Sequence, residues 1–402
     1  MKPCAVAFAS LVAALALAAC GSSDDDDAGT TAGSTAWEGE KIAVGSLYST
    51  TGPGAAFGPQ QVDGAELAIE EINESGGVNG AEIELAQRDD ASDPKRSAQE
   101  MTALIEDEEV VAVLGPTFSN SAAEADPIAN HAGTPVLAVS NTGPGIVGDC
   151  PYPCELVFRD SLGEAEAIPA NIELYAAGSK AKRATVIHPL DDPFGETSAA
   201  TAVDAFEEQG IDVTGTEVFA PLEAGPQPAI EQAIEARADA IFLAGSSGEV
   251  AAKAIKIARE TGFKGDLLGG NAFNSPIVGE QAGSASRGAQ SAAAWIAEND
   301  SMVNTSFTGA YEEAYGAEPD QFAAQSYTGL KLLAAAAEDA DLTFDDVDAD
   351  RAAIAEALAG VELESPLGSF RFTQDHDVLQ PIWVVRMDGE GGYDLVEEIP
   401  PG

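Results

Sequence analysis

Residues 110–142 limit the fold more than any other stretch, because they hold two apolar strands with one helix between them. Residues 110–114 form a continuous apolar run closed by Gly115 and Pro116, and residues 135–139 form a second, closed by Ser140, Asn141 and Thr142. Continuous apolar runs suit strands buried on both faces of a sheet. Between them, Asn120 or Ser121 can cap a helix in which Ala122, Ala125, Ile128 and Ala129 recur at helical spacing. A strand, helix, strand unit of this kind sets its two strands parallel, so both end at one edge of the sheet. The residues at that edge are polar: Thr117, Ser119, Asn120 and Ser121 after the first strand, and Ser140, Asn141 and Thr142 after the second. Ligands of open α/β sheets bind outside the carboxyl ends of the strands, and hydroxyls beside a helix N-terminus suit an anion such as a carboxylate.

The N-terminus reads as an export signal. Met1 and Lys2 precede an apolar segment over residues 5–19, too short to span a bilayer comfortably, with small residues before a cut at Cys20. The string Leu17-Ala18-Ala19-Cys20-Gly21 resembles the lipobox of bacterial lipoproteins, in which the cysteine carries lipid and becomes the new N-terminus. Residues 20–39, with Asp24 to Asp27 and small polar residues, predict a disordered acidic tether. About 380 residues remain after residues 1–19 are removed, more than one usual core, and this predicts two lobes. No second apolar run is long enough for a membrane span. A net charge of −49, from 68 acidic against 19 basic residues, argues against an anionic membrane surface as partner and excludes nucleic acid, since both repel such a field. The acidity fits adaptation to high salt as well as a plain solvated surface. With Cys4 lost in the signal and Cys20 lipidated, Cys150 and Cys154 remain, and an exported chain favours a disulfide between them. Zinc is disfavoured, because it wants about four ligands and His131, His188 and His376 are scattered.

Strand and helix patterns alternate from residue 41 to residue 268, as expected of parallel sheets covered on both faces. The character then changes, with a strand near residues 289–296, helices over 305–315, 321–337 and 351–358, and strands near 370–372, 382–387 and 393–397. Asp341, Asp345, Asp346, Asp348 and Asp350 lie in an acidic loop that lacks the glycine of an EF-hand, so a solvated loop is expected and no metal site. The chain carries no His-Glu-x-x-His, no Gly-x-Ser-x-Gly elbow and no Walker lysine motif. His188 near Asp191 and Asp192 is the one arrangement that could serve a general base, and a capped strand end reads the same residues. The expectation is a protein that binds a ligand without transforming it, and no cofactor is implied.

Several segments together resemble one family. Ile42-Ala43-Val44-Gly45 with Thr51-Gly52-Pro53, Gly64-Ala65-x-Leu67-Ala68-Ile69 with Ile72-Asn73, and Gly76-Gly77-Val78-Asn79-Gly80 look like the N-terminal pattern of the Leu/Ile/Val-binding proteins. Asp89-Asp90-x-x-Asp93-Pro94, Gly115-Pro116-x-x-Ser119, Ser140-Asn141-Thr142, Asp192-x-Phe194-Gly195 and residues 322–333 extend the match across nearly all of residues 41–400. These are type I periplasmic solute-binding proteins of branched-chain amino acid ABC transporters. The resemblance implies an α/β fold of two Rossmann-like lobes with parallel sheets, joined by a three-crossing hinge near residues 160, 285 and 345. The N-terminal lobe would then hold residues 40–160 and 286–345, and the C-terminal lobe residues 161–285 and 346–402.

In that family the ligand carboxylate meets the serine after the third strand and the polar loop after the fourth. Those positions here are Ser119, Asn141 and Thr142, while Phe57 and Phe194, with Phe118, match aromatics that pack on the ligand. One departure stands out. Members that take α-amino acids usually place an acidic residue after the strand at residues 267–270, and this chain has Asn271. Either Asp191 or Asp192 supplies the charge from elsewhere, or the ligand is an amide, urea or an organic carboxylate. Likewise Ser246 or Ser247 occupies a turn where an aromatic often covers the ligand. The resemblance implies a lipid-anchored, extracytoplasmic, monomeric receptor that hands a small ligand to ABC permease and ATPase subunits. The alternatives are a sensor reporting to a membrane partner and an exported hydrolase using His188.

Overall fold

The structure, a computed structural model, describes Trp37 and residues 39–220 and 225–401. The expected signal segment, Cys20 and most of the tether, within residues 1–36, lie outside the described residues. The first sheet has five parallel strands, β1 (Lys41–Tyr48), β2 (Glu82–Asp89), β3 (Ala112–Leu114), β4 (Val136–Ala138) and β5 (Val157–Arg159), in the order β2-β1-β3-β4-β5. Helices α1 (Gly58–Glu74), α2 (Pro94–Glu106) and α3 (Ser119–His131) connect them. β3 and β4 are buried at every residue, as continuous apolar runs require. Asp93 caps α2 by accepting from the N–H groups of Lys95 (2.8 Å) and Arg96 (3.1 Å). Between β4 and β5, Cys150 and Cys154 are paired, their Cα atoms 6.4 Å apart.

The second lobe begins with α4 (Glu164–Gly178) and continues through β6 (Arg183–Pro189), α5 (Pro193–Glu208), β7 (Asp212–Phe219), α6 (Gln227–Glu235), β8 (Ala240–Leu243), α7 (Gly248–Thr261), β9 (Asp266–Gly269), α8 (Pro276–Ala282) and β10 (Gln290–Ala293). The chain then returns through α9 (Met302–Tyr315), α10 (Gln321–Asp339) and α11 (Val347–Leu358) to a small antiparallel sheet of β11 (Glu362–Ser365), β12 (Gly368–Phe372) and β13 (Val378–Leu379). It finishes with β14 (Ile382–Met387) and β15 (Tyr393–Ile399) in the second sheet, ordered β15-β14-β10-β9-β8-β6-β7. β14 pairs antiparallel with β10 and with β15, so this sheet is parallel only over its other strands.

The second and third crossings fall later than expected. β10 belongs to the second sheet, so that crossing follows residue 293 and not residue 285. Ile354, Leu358, Phe370 and Phe372 share one core with Ile42, Val44 and Leu137 of the first lobe, so the third crossing lies at residues 380–381 and not near 345. The acidic loop that suggested a boundary is a local connection. Asp346 caps α11 through the Ala349 N–H, and Asp350 accepts from the N–H groups of Thr343 (2.6 Å) and Phe344 (3.0 Å). These carboxylates spend their charge on helix ends, as Asp does at N-caps. α8, β11 and β13 were not anticipated, being too short to show a period. α3 also starts earlier than the expected cap at Asn120 or Ser121. Phe118, whose ring cannot hydrogen-bond, holds the cap position, while Ser119 and Asn120 are used in tertiary contacts.

α1 and α10 pack closely, and the approach centres on Gly64. A Cβ there would lie 2.2 Å from the Ala323 carbonyl oxygen, so the two backbones can touch only without a side chain. Gly64→Ala is expected to lower unfolding stability by ~2 kcal/mol or more through overpacking, read as a lower denaturant midpoint with an unchanged slope.

Burial also sets a pH dependence. Asp126 and Asp160 are fully buried without hydrogen-bond partners on either carboxylate oxygen, and burial holds both well above the ordinary aspartate range. Asp320, 6% exposed, is pushed by burial to about 7, against backbone hydrogen bonds from Ala323 and Phe322 that pull it down. A carboxyl whose folded pKa exceeds its unfolded value contributes stability below the unfolded pKa, and that contribution is lost as pH rises through the folded one. The thermal midpoint is therefore expected to fall between pH 5 and pH 8, and Asp126→Asn to flatten part of that decline.

Candidate functional site

The carboxyl ends of the parallel strands of both sheets meet at one seam, and the candidate site is built from the turns there. After β3 the backbone turns at Gly115, where φ is +108° and a Cβ would lie 2.3 Å from the Leu47 carbonyl oxygen, so only glycine fits. Thr117 follows, and its hydroxyl accepts from the Ser49 N–H (2.9 Å) and donates to Gln61 Oε1 (2.6 Å). Gln61 Nε2 donates to Ser140 Oγ (2.9 Å), which donates to the Thr117 carbonyl (2.6 Å). This closed ring, buried throughout, locks the turn after β3 to the turn after β4 through α1. Ser119, in the first turn of α3, accepts from the Gly143 N–H at 3.2 Å. Thr142 is 1% exposed, its hydroxyl has no partner, and its carbonyl accepts from the Glu164 N–H at 2.7 Å.

The facing wall comes from the second lobe. Phe194 opens α5, Ser246 follows β8, and Asn271 and Ala272 follow β9. Asp192 accepts from the Ser246 N–H (2.9 Å) and hydroxyl (3.0 Å) on one oxygen, and from Asn120 Nδ2 (3.3 Å) of the first lobe on the other. His188 places Nδ1 3.1 Å from the Pro189 carbonyl, so the bonds of His188 and Asp192 lead away from each other. Behind Asn271 stands Glu164, 1% exposed. One carboxylate oxygen accepts from the Asn271 N–H at 2.9 Å and the other from the Ser198 hydroxyl. Burial pushes Glu164 up to about 7, the Ser198 and Asn271 hydrogen bonds oppose the shift, and the Asp192 charge adds to it. A second bridge between lobes runs from Gln321 Nε2 at the start of α10 to Asn271 Oδ1 (2.7 Å), with Gln321 Oε1 accepting from the Ala294 N–H (2.8 Å).

Between these walls lies a narrow cavity of about 30 Å³, lined by Phe57, Phe118, Phe194 and Phe322 along its apolar sides and by Thr117, Ser119, Asn120, Ser140, Thr142, Ser246 and Asn271 at its polar ends. Phe57 meets Phe118 edge-on at 5.7 Å and Phe322 at 4.7 Å. The lining contains hydroxyls, amides and aromatic rings without a charged side chain. Such a surface can orient a small polar solute with an apolar body.

Phe57, Phe118, Ser119, Thr142, Phe194 and Asn271, all expected from the sequence to touch ligand, line this cavity. Asn141 does not. Its side chain is fully buried away from the cavity with both amide atoms unpartnered, as alternation in an extended segment requires when Ser140 and Thr142 face the other way. Gln61, Glu164, Gln321 and Phe322 were missed. Gln61 left a signal, since it is a polar residue on the apolar stripe that carries Ala65 and Ala68. Glu164 read only as the first residue of a helix.

Comparison with known proteins agrees with this geometry. The sequence pattern described as periplasmic binding protein matches residues 41–392. The leucine-, isoleucine-, valine-, threonine- and alanine-binding protein of Pseudomonas aeruginosa is 28% identical over 342 residues, covering 84% of this chain and 87% of that one. Among solved structures, a leucine-binding protein from Thermotoga maritima superposes with a TM-score of 0.80 at 24% identity, covering 90% of this chain and 99% of the other. A solute-binding protein of an ABC transporter from R. palustris, in complex with benzoate, gives 0.79 at 24% identity, covering 90% and 97%. With two α/β lobes meeting at a lined cavity and a family pattern spanning most of its length, the chain belongs to the periplasmic binding protein family.

Proposed function

We propose that the protein is the extracytoplasmic solute-binding component of an ABC importer, tethered to the membrane by lipid on Cys20 and trapping a small amino acid, amide or carboxylate between two closing lobes. The observation that carries this reading is the pairing of the cavity with polar bridges across it. Asn120 reaches Asp192 and Gln321 reaches Asn271, so each lobe completes the hydrogen bonding of the other when the seam is shut. Closure of this kind is a hinge motion, and the bridges give the closed state contacts that an open one lacks.

One end of the solute meets the first turn of α3, where backbone N–H groups and the Ser119 hydroxyl favour an anionic or carbonyl group. Thr142 adds a buried hydroxyl with no other partner. The solute body packs against Phe57, Phe118, Phe194 and Phe322, which bury it at a low entropic cost. Relatives named for binding leucine, isoleucine and valine, and a structural neighbour holding benzoate, support a small ligand with a carboxylate, admitted when the lobes part. The string from Leu17 to Gly21 supports the anchor, and the neighbour described as the solute-binding protein of an ABC transporter supports the partnership with permease and ATPase subunits. His188 with its Nδ1 on a backbone carbonyl gives no support to a hydrolase.

A thermal-shift screen of amino acids, amides and organic acids is expected to find a stabilising ligand. Ser119→Ala with Thr142→Ala should abolish that shift while leaving the ligand-free midpoint within a few degrees, and an unchanged shift would refute the site. Cys20→Ala is expected to release the protein from membranes and to end incorporation of labelled palmitate.

A further inference from the structure

We propose that the protein carries a second binding site, outside the cleft cavity, for a small organic cation: an ammonium or guanidinium group on an apolar body. The site is a cavity of about 630 Å³ bordered by the segment after β10, the loop between α9 and α10, and the turn between β14 and β15. It shares no lining residue with the cleft cavity. The Gln321–Asn271 hydrogen bond stands between the two, with Gln321 lining the one and Asn271 the other. The inference holds whichever solute the cleft takes.

Cavities that take small organic molecules run from about 300 to 1,000 Å³ and combine apolar walls with a few polar groups. Here the apolar wall is Trp295, Ile296, Val385 and Tyr393. The Trp295 Nε1–H donates to Asn304 Oδ1 (2.6 Å) and the Tyr393 hydroxyl to the Phe273 carbonyl (2.8 Å), so the polar atoms of both rings are spent inside the protein. What the rings offer to the cavity is aromatic carbon, which packs on an apolar body and attracts a cation at its face.

Charge sets the class of occupant. Glu280, Glu298, Glu318, Asp320 and Glu390 line the cavity, and no Lys, Arg or His stands among the lining residues. Among the described residues only Glu390 of these five has an ion-pair partner, Arg287 at 3.1 Å, and that pair is exposed and screened by solvent. Glu318 and Asp320 come from the loop that enters α10, packed on the first lobe, while Glu280 and Glu390 come from the second lobe. Like charges of the two lobes therefore border one space. An anion entering it meets a field of its own sign, and a cation relieves that field.

Asp320 marks the missing partner independently. It is 6% exposed; Oδ1 accepts from the Ala323 N–H (2.9 Å) as the cap of α10, and Oδ2 has no hydrogen-bond partner. A buried carboxylate oxygen without a donor is costly, and an ammonium or guanidinium supplies donor and charge together. An inorganic ion fits less well. Calcium needs at least six oxygens converging within about 2.6 Å, and among the described residues no three His, Cys, Asp or Glu side chains lie close enough together to hold a metal. Carboxylates spread around a partly aromatic wall match a cation with a larger body.

The test is titration calorimetry on the full chain at about 0.15 M salt, where charges beyond about 8 Å are screened. The probes are phenethylamine and agmatine, and the comparators are phenethyl alcohol, hydrocinnamate and magnesium. The expected result is saturable binding of at least one of the two amines, matched by none of the comparators. Glu280→Gln with Glu318→Gln, both at exposed positions that leave the Asp320 cap intact, should weaken the amine about tenfold, the worth of two surface ion pairs. Ser119→Ala with Thr142→Ala in the cleft should leave amine binding unchanged, as should Glu207→Gln with Glu208→Gln at the end of α5. Loss of amine binding on substituting Ser119 and Thr142 would place the amine in the cleft and overturn the proposal. Equal weakening on substituting Glu207 and Glu208 would reduce the effect to diffuse attraction and overturn it as well. So would binding of magnesium or hydrocinnamate as tight as that of the amines, or failure of both amines to bind. Should the Glu280 and Glu318 substitutions prevent folding, equal binding of phenethyl alcohol and phenethylamine by the unsubstituted protein overturns the proposal equally.

Discussion

The site depends on a backbone contact some way from it. At Gly64, α1 touches the carbonyl of Ala323 in α10, a separation that no residue with a Cβ permits. α10 belongs to chain that has already visited the second lobe, and this contact seats it on the first lobe again, with Gln321 and Phe322 at its first turn. From there Phe322 meets Phe57 edge-on, and Gln321 bridges to Asn271 and to the strand crossing at Ala294. Two long helices packed backbone to backbone are stiff, so residues at the start of one are held against residues at the start of the other. A lined cavity between lobes requires that stiffness.

The polar groups around the cavity divide into those already satisfied and those left open. Thr117, Gln61 and Ser140 satisfy one another in a closed ring and act as scaffold. Thr142 retains an unpartnered hydroxyl, and a buried polar group without a partner is costly unless something arrives to pair with it. Glu164 satisfies its hydrogen bonds through Asn271 and Ser198. The site is therefore complete in shape while one buried hydroxyl awaits a partner, the condition expected of a binding protein whose ligand contributes to the closed state.

Much of this architecture is legible in the chain. The apolar runs at β3 and β4 suit strands buried on both faces of a parallel sheet, and that pattern alone puts Ser119 and Thr142 at one edge. Phe57 and Phe194 stood out because they sit in glycine and proline turns, where a large ring has no local reason to be. The lobe boundaries were harder. An acidic stretch at residues 339–350 has the composition of a linker, yet Asp346 and Asp350 cap structure within one lobe, and composition does not distinguish a solvated linker from a capped turn. Asn141 was misplaced because three adjacent polar residues look alike in sequence, while an extended backbone sends alternate side chains to opposite sides.

The sequence by itself determined the fold class, the direction of the sheets and the chemical character of one rim, because these follow from periodicity, turn residues and burial that operate within a few tens of residues. Only the tertiary structure decided which residues complete the opposite rim. Glu164, Gln321 and Asn271 are separated by 107 residues in one pair and 50 in another, and their meeting depends on where two crossings of the chain bring separate helices and strand ends together. Local pattern carries no record of such a meeting, since each residue taken alone satisfies an ordinary role at a helix start or a turn.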